Sequence, residues 1–356
     1  MKIIQNIYLA IIALIFSILF FTYALFCYTL TPVSNNTEIK EVEIKPGGIK
    51  SIANTLYSSK LIKNKLTFVI YVKITGQTNL KSAKYSLSES MGVRKIVKIL
   101  SLGKGENTNQ VTITFKEGWN VRKIAKVIEE NTNNSIDDVY NTLKDENYLK
   151  QLIGKYWFLS EEILNQEIYY PLEGYLYPNT YNFSSKDVSV KDIIETMLSE
   201  TEKQLNSKKD EIESNTWNIH QIITMASILE LEGNTDEDRS EIAGVFKNRI
   251  KKGMNLGSDV TTYYGLKIDM GDRDLYTNEV NTCNQYNTRC STYKGLPISP
   301  ICNPTLGSIM AVINASNNDY LYFVADKNKK IYFSKTLKEH ENIIRELKQQ
   351  KLWIEY

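Results

Sequence analysis

The sequence predicts an α+β fold in three parts: an apolar N-terminal helix, a small βα module and a larger α+β body. Three observations predict it. Ile7 to Leu30 carries no charged residue. Between residues 38 and 105 short alternating stretches are interleaved with short helical ones. Beyond them the pattern turns mainly helical and includes one long apolar stripe that ends in Glu230-Leu231-Glu232. The 356 residues are 42% hydrophobic and 24% charged, the balance of a folded chain.

The apolar run from Ile7 to Leu30 exceeds the roughly 20 residues that cross a bilayer core as a helix. It predicts a single transmembrane anchor over 7–30, with residues 1–6 as a short cytoplasmic end. Lys2 supplies a weak positive-inside bias. Thr31-Pro32-Val33-Ser34 is no signal-peptidase site, so the segment reads as uncleaved. The expected location is therefore the cytoplasmic (inner) membrane, single-pass, with the remainder extracytoplasmic. In that compartment Cys283, Cys290 and Cys302 permit one bridge and leave one thiol; the pairing stays open.

Glu41-Val42-Glu43-Ile44 alternates as a strand, and Lys45-Pro46-Gly47-Gly48 turns the chain. Ile49, Ile52, Ala53 and Leu56 then recur at helical spacing. Tyr85-Ser86-Leu87 and the stretch Met91 to Leu102 repeat the strand-then-helix order. So do Val111 to Phe115 and the face Val121, Ile124, Ala125 and Ile128. A βα module of this size serves sugar binding or simple packing. Residues 130–215 read as helices around the aromatic loop Pro171 to Tyr181, whose rings suit either sugar faces or a core.

Composition excludes several functions. Lys plus Arg is 43 and Asp plus Glu is 41, a net charge of +2. That gives no basic excess for nucleic acid. Two histidines and four cysteines without a CxxC pair predict no metal site and no cofactor. What remains is the helix 217–232, followed by a second from about Glu237 to Lys251. Two glutamates stand in the last turn of the first helix. There the negative end of the helix dipole and partial burial both favour the protonated carboxyl. A carboxyl that keeps its proton near neutrality is what a glycosidic general acid requires. The plainer alternative is ion pairing with Arg239 or Arg249. Two positions apart, Glu230 and Glu232 point about 200° from each other, so only one serves a given cleft.

Ala226-Ser227-Ile228-Leu229-Glu230-Leu231-Glu232 resembles the Ala-Ser-Ile-Val-Glu-Lys-Glu signature of the YceG/MltG-like endolytic murein transglycosylases. Val245 to Ile250, Gly253 to Leu256, Ser258-Asp259, Tyr264-Gly265, Tyr286-Asn287-Thr288, Gly295-Leu296-Pro297 and Tyr320 to Ala325 resemble the segments that follow, in order. Lys116-Glu117-Gly118, Leu172-Glu173-Gly174 and Glu339-His340-Glu341 fit as well. The likeness covers roughly 40–345. Departures are Leu231, Val260, Arg289-Cys290 in place of the usual Tyr, and Ile298-Ser299.

The resemblance implies an α+β enzyme with a LysM-like module at 38–105 and a YceG-like catalytic region at 106–350. It implies internal cleavage of peptidoglycan strands at the MurNAc–GlcNAc bond, leaving a 1,6-anhydro-MurNAc end. That would terminate nascent strands, beside a penicillin-binding synthase as partner. It places the acid at Glu232, with Glu230 as the alternative. Asn248, Asp259, Tyr264, Tyr286, Asn287 and Glu173 become the candidate substrate-binding residues. Two other functions stay open: a hydrolytic muramidase with Asp259 or Glu173 activating water, and an anchored non-catalytic peptidoglycan-binding scaffold.

Overall fold

The structure, a computed structural model, describes residues 2–103 and 110–353, with the side chains of the first helix described from Leu14 onward. It divides into two compact units, Met1–Gln110 and Val111–Tyr356. The expected boundary between 105 and 106 lies outside the described residues.

The first unit runs α1 (Lys2–Thr29), β1 (Ile39–Ile44), α2 (Ile49–Ser58), α3 (Lys65–Ile74), β2 (Ala83–Ser88) and α4 (Val93–Leu102). β1 and β2 pair antiparallel, from Ile39 opposite Ser88 to Ile44 opposite Ala83. Alternation sends Val42 and Ile44 of β1 and Tyr85 and Leu87 of β2 inward. They meet Ile52, Ala53 and Leu56 of α2, Phe68 and Val72 of α3, and Ile96, Val97 and Leu100 of α4 in one core.

The anchor expected at 7–30 is corrected. Among the described residues no helix is long and apolar enough to cross a membrane. The single-pass membrane location falls with it. The cytoplasmic end placed at 1–6 lies, in its side chains, outside the described residues. The α+β class itself stands.

The second unit begins with β3 (Val111–Thr114), α5 (Val121–Asn131), α6 (Ile136–Lys144) and α7 (Glu146–Lys155). It continues with β4 (Thr180–Phe183), α8 (Val190–Asn206), α9 (Lys209–Glu213), α10 (Ile219–Glu232), α11 (Asp236–Lys251) and α12 (Asp259–Gly265). It ends with α13 (Thr277–Val280), α14 (Leu306–Ile313), the strands β5 (Tyr322–Ala325) and β6 (Ile331–Ser334), and α15 (Leu337–Gln349). β3 pairs with β4, and β5 with β6, both antiparallel.

The centre of this unit is α10. Asn218 caps its start, with Gln221 completing a capping box. Ile222, Ile223, Met225, Ala226, Ile228 and Leu229 are all fully buried, so the helix is apolar nearly all round. It packs on α11, α12 and α14. The aromatic loop before β4 turns inward. Tyr175 is fully buried and its hydroxyl meets His220 Nδ1 at 2.8 Å. Gly174 has φ +89°, and a Cβ there would lie 2.4 Å from the Pro300 ring. No larger residue fits that approach.

Phe68 is fully buried in the first unit. Phe68→Ala is expected to destabilise it by about 3–5 kcal/mol, read from urea unfolding followed by circular dichroism.

Candidate active site

The buried stretch of α10, Ile222 to Leu229, gives way to partial exposure in the last turn, where Glu230 and Glu232 stand. Gly233 follows in extended conformation, φ −103°. A Cβ there would come within 2.6 Å of Arg239 Cγ, so Arg239, not a ligand, takes the room the glycine leaves. Thr235 then caps α11 through a capping box with Asp238.

The two glutamates face different partners. The Glu230 side chain is only 5% exposed. Its Oε2 accepts from Thr305 N–H at 2.8 Å, the Thr305 hydroxyl at 2.8 Å and the Ser308 hydroxyl at 2.6 Å, all at the N-terminus of α14. Its Oε1 accepts from Arg239 Nη2 at 3.3 Å. Both oxygens are thus occupied by protein donors, and the carboxylate neutralises the positive end of α14. The ion pair with Arg239 is one of those the sequence offered as the plainer alternative.

Glu232 is partly exposed but densely surrounded. Oε1 accepts from the Ser258 hydroxyl at 2.6 Å. Burial pushes its carboxyl above the usual range and Asp259 adds to the rise. The Ser258 hydrogen bond, Arg289 and Arg249 oppose it. Burial is the larger effect, so the proton is retained beyond the ordinary carboxylate range.

Ser258 sits just before α12, fixed by a buried hydroxyl cluster. Its N–H donates to Thr288 Oγ1 at 3.1 Å, and its carbonyl accepts from Thr261 Oγ1 at 2.7 Å. Asp259, the first residue of α12, forms a two-pronged pair with Arg289 through Nε and through Nη2 at 2.9 Å. Arg249 of α11 donates to the carbonyls of Leu256 and, at 2.6 Å, Leu321. Its guanidinium also lies 5.4 Å from the Tyr322 ring centre. His340 stacks on the same tyrosine at 5.5 Å and is pushed down by burial and then by Arg249.

The other residues singled out from sequence are held by protein partners: Tyr264, Tyr286, Asn287 and Glu173 are buried, and Asn248 is half-buried. Asn248 donates to Asn318 and Tyr320 carbonyls at 2.9 and 3.1 Å. Asn287 donates to Val280 and Thr282 carbonyls and accepts from the Thr262 hydroxyl. The Tyr286 hydroxyl meets Ser299 at 2.9 Å. Tyr264 donates to Glu173 Oε2 at 3.0 Å. Glu173 is wholly buried, accepting from the Val121 N–H that opens α5 and from Asn303. Burial raises it to about 8, against Val121, Tyr264 and Arg122. Only Asp259 of this set stands with Glu232 at the surface. Ser258, Arg249, Arg289 and Tyr322 complete the surroundings. Ser258, Arg249 and Tyr322 lie in motif segments and Arg289 at a departure from one, but only tertiary packing brings them to Glu232.

Two clefts in the described residues lie elsewhere. One, about 320 Å³, is lined by Trp217, His220, Gln221 and Leu296 at the start of α10. Twelve helical residues at 1.5 Å each put it roughly 18 Å from Glu232. The other, about 260 Å³, lies among Tyr140, Tyr169 and Tyr170.

The YceG-like family matches residues 42–346. The chain belongs to that family. It is 34% identical over 314 residues to the endolytic murein transglycosylase of Bacillus subtilis, covering 87% of this chain and 86% of that one. The endolytic murein transglycosylase of Streptococcus pneumoniae strain D39 is 29% identical over 360 residues; the match covers 97% of this chain and 65% of that longer protein. A crystal structure of a yceG-like protein from Listeria monocytogenes superposes with a TM-score of 0.61 at 36% identity, covering 86% of this chain and all of the other.

Two outcomes follow from the carboxyl environments. Glu230→Gln sets an amide against donors and is expected to cost about 1–3 kcal/mol of stability, measured by denaturant unfolding. Glu173 binds its proton more tightly folded than unfolded. Its contribution is therefore full below the ordinary value of 4.5 and is lost as pH rises through about 8. Glu173→Gln should flatten the fall in melting temperature over that window.

Proposed function

We propose that this chain is an endolytic lytic transglycosylase that cuts the glycan strands of peptidoglycan. The observation that carries the reading is Glu232: a partly exposed carboxyl whose hold on its proton is strengthened by burial and which is oriented by Ser258. Family membership and the names of the Bacillus and Streptococcus relatives support the substrate and reaction class.

The chemistry asks for one acid–base group. Protonated Glu232 donates to the leaving glycosidic oxygen at the MurNAc–GlcNAc bond as an oxocarbenium-like state forms. The carboxylate left behind takes the proton of the muramic C6 hydroxyl, whose oxygen attacks C1 of its own ring. One C–O bond breaks and one forms, no water is consumed, and a 1,6-anhydro end results. Ser258 orients the carboxyl. Asp259 is the substrate-side residue among the motif candidates; Asn248, Tyr264, Tyr286, Asn287 and Glu173 serve as the frame. Hydrolysis would require a second carboxylate to activate water. Glu173 is enclosed, and Asp259 is held by Arg289.

The finer role is part of the same proposal. Cutting newly made strands beside a penicillin-binding synthase sets their length. The first unit, with two helices between its paired strands, acts as a LysM-like glycan-holding module.

Mass spectrometry of peptidoglycan digested by the full chain tests the reading. Anhydro-ended internal fragments are expected from the unsubstituted chain, with a loss of at least about 100-fold in Glu232→Gln. Glu230→Gln, where folded, keeps the product. Reducing ends would replace the mechanism by hydrolysis. Because the acid must be protonated, the rate falls as pH rises through the raised Glu232 value. Asp259→Asn removes a neighbouring negative charge and should move that fall to lower pH in a pH–rate profile.

A further inference from the structure

We propose that Arg289 is a specificity-determining residue of the substrate site, a cationic subsite beside Glu232 that takes a carboxylate carried by the muramic side of the glycan. The inference rests on the transglycosylase reading and adds the substrate group recognised.

The first argument is donor accounting. Arg249 places Nε and Nη1 on two backbone carbonyls and its plane near the Tyr322 ring, so it is directed at the protein. Arg289 gives only Nε and one face of Nη2 to Asp259. Its side chain is 39% exposed, and among the described residues Nη1 has no hydrogen-bond partner. A guanidinium has five N–H donors, so an open fork is left toward solvent. That fork is shaped for a second carboxylate.

The second argument is charge. Arg249 and Arg289 bring two positive charges to the surroundings of Glu232 and Asp259 brings one negative charge, so with Glu232 neutral the balance there is positive. An ion pair made only for stability at such an exposed place is worth little.

The third argument is rigidity. The Arg289 N–H donates to Asn287 Oδ1 at 2.9 Å, and Asn287 is itself tied to Val280 and Thr282. Thr288 is locked into the hydroxyl cluster that holds Ser258. Cys290, buried, is bridged to Cys283. Arg289 therefore stands on a loop fastened on both sides, and through Thr288 and Ser258 it is linked to the Glu232 carboxyl. A preorganised cation binds an anion without first being ordered. Muramic residues supply that anion from two sources: the lactyl acid itself, or the acidic peptide stem attached to it.

The test compares cleavage kinetics of the full chain with those of Arg289→Gln and Arg289→Lys on four glycan strands. These carry stems with free carboxylates, stems with amidated carboxylates, no stems with the lactyl acid free, and no stems with the lactyl acid amidated. Arg289→Gln is expected to raise KM about ten-fold wherever the recognised carboxylate is present. kcat should stay within about two-fold, the pattern of lost ground-state binding. KM should be unchanged on the fully amidated, stem-free strand. Arg289→Lys, which keeps the charge, should recover part of the loss. Loss of the effect on stem amidation names the peptide as the source; its persistence on stem-free strands names the lactyl acid. An equal KM rise on all four strands, or none on any, overturns the subsite. Failure of the unsubstituted chain to cut any strand instead overturns the transglycosylase reading, and the subsite with it. Circular dichroism of both variants establishes that each is folded.

Discussion

Glu230 holds the end of α10 against the start of α14, and the geometry at Glu232 depends on that contact. One carboxylate oxygen takes three donors from Thr305 and Ser308, while the other takes Arg239. Burying a charge is tolerable only with this degree of compensation. With Glu230 turned into the body of the protein, helical geometry turns Glu232 the other way, toward Ser258. The same final turn therefore carries a structural carboxylate fully supplied with donors and a second carboxyl with one hydroxyl partner. The two side chains thus differ in donor supply, and at Glu232 burial outweighs its single hydroxyl partner and favours the proton.

The far wall of the site is built from segments distant in sequence. Ser258, Thr261 and Thr288 share buried hydroxyls, and Asn287 ties the 280–289 loop to itself. These residues exchange water for protein partners and leave little freedom at Ser258, Asp259 and Arg289. Behind them Tyr169, Tyr264 and Tyr286 pack ring to ring at 4.6–6.0 Å. Glu173 joins the start of α5 to α12 through Val121 and Tyr264. The tyrosine richness of the chain is spent here on rigidity as much as on any sugar.

Much of this was legible in the residues. Periodicity located the helices that became α10 and α11. Asn218 and Thr235 set their starts, two residues later than the first boundary read and one residue earlier than the second. The opposed directions of Glu230 and Glu232 follow from helical rotation alone. The interior placement of Tyr286, Asn287 and Glu173 was not legible, because a motif gives a residue's identity but not which side of the surface it faces. Nor was the Ser258–Glu232 contact, which joins residues 26 positions apart through tertiary packing. The pairing of Cys283 with Cys290, left open by spacing, is settled by the loop that brings them together. Absence of charge from Ile7 to Leu30 does not by itself make a span: among the described residues no helix is long and apolar enough to cross a membrane.

The central claim is that Glu232 keeps its proton where an ordinary carboxyl has lost it. Carbon-13 NMR titration of carboxyl-labelled glutamates in the full chain measures this directly, with Glu232→Gln and Glu173→Gln identifying the two shifted signals. The account predicts that the signal lost in Glu232→Gln titrates clearly above the usual value of 4.5. A Glu232 signal that titrates at or below that value would contradict it.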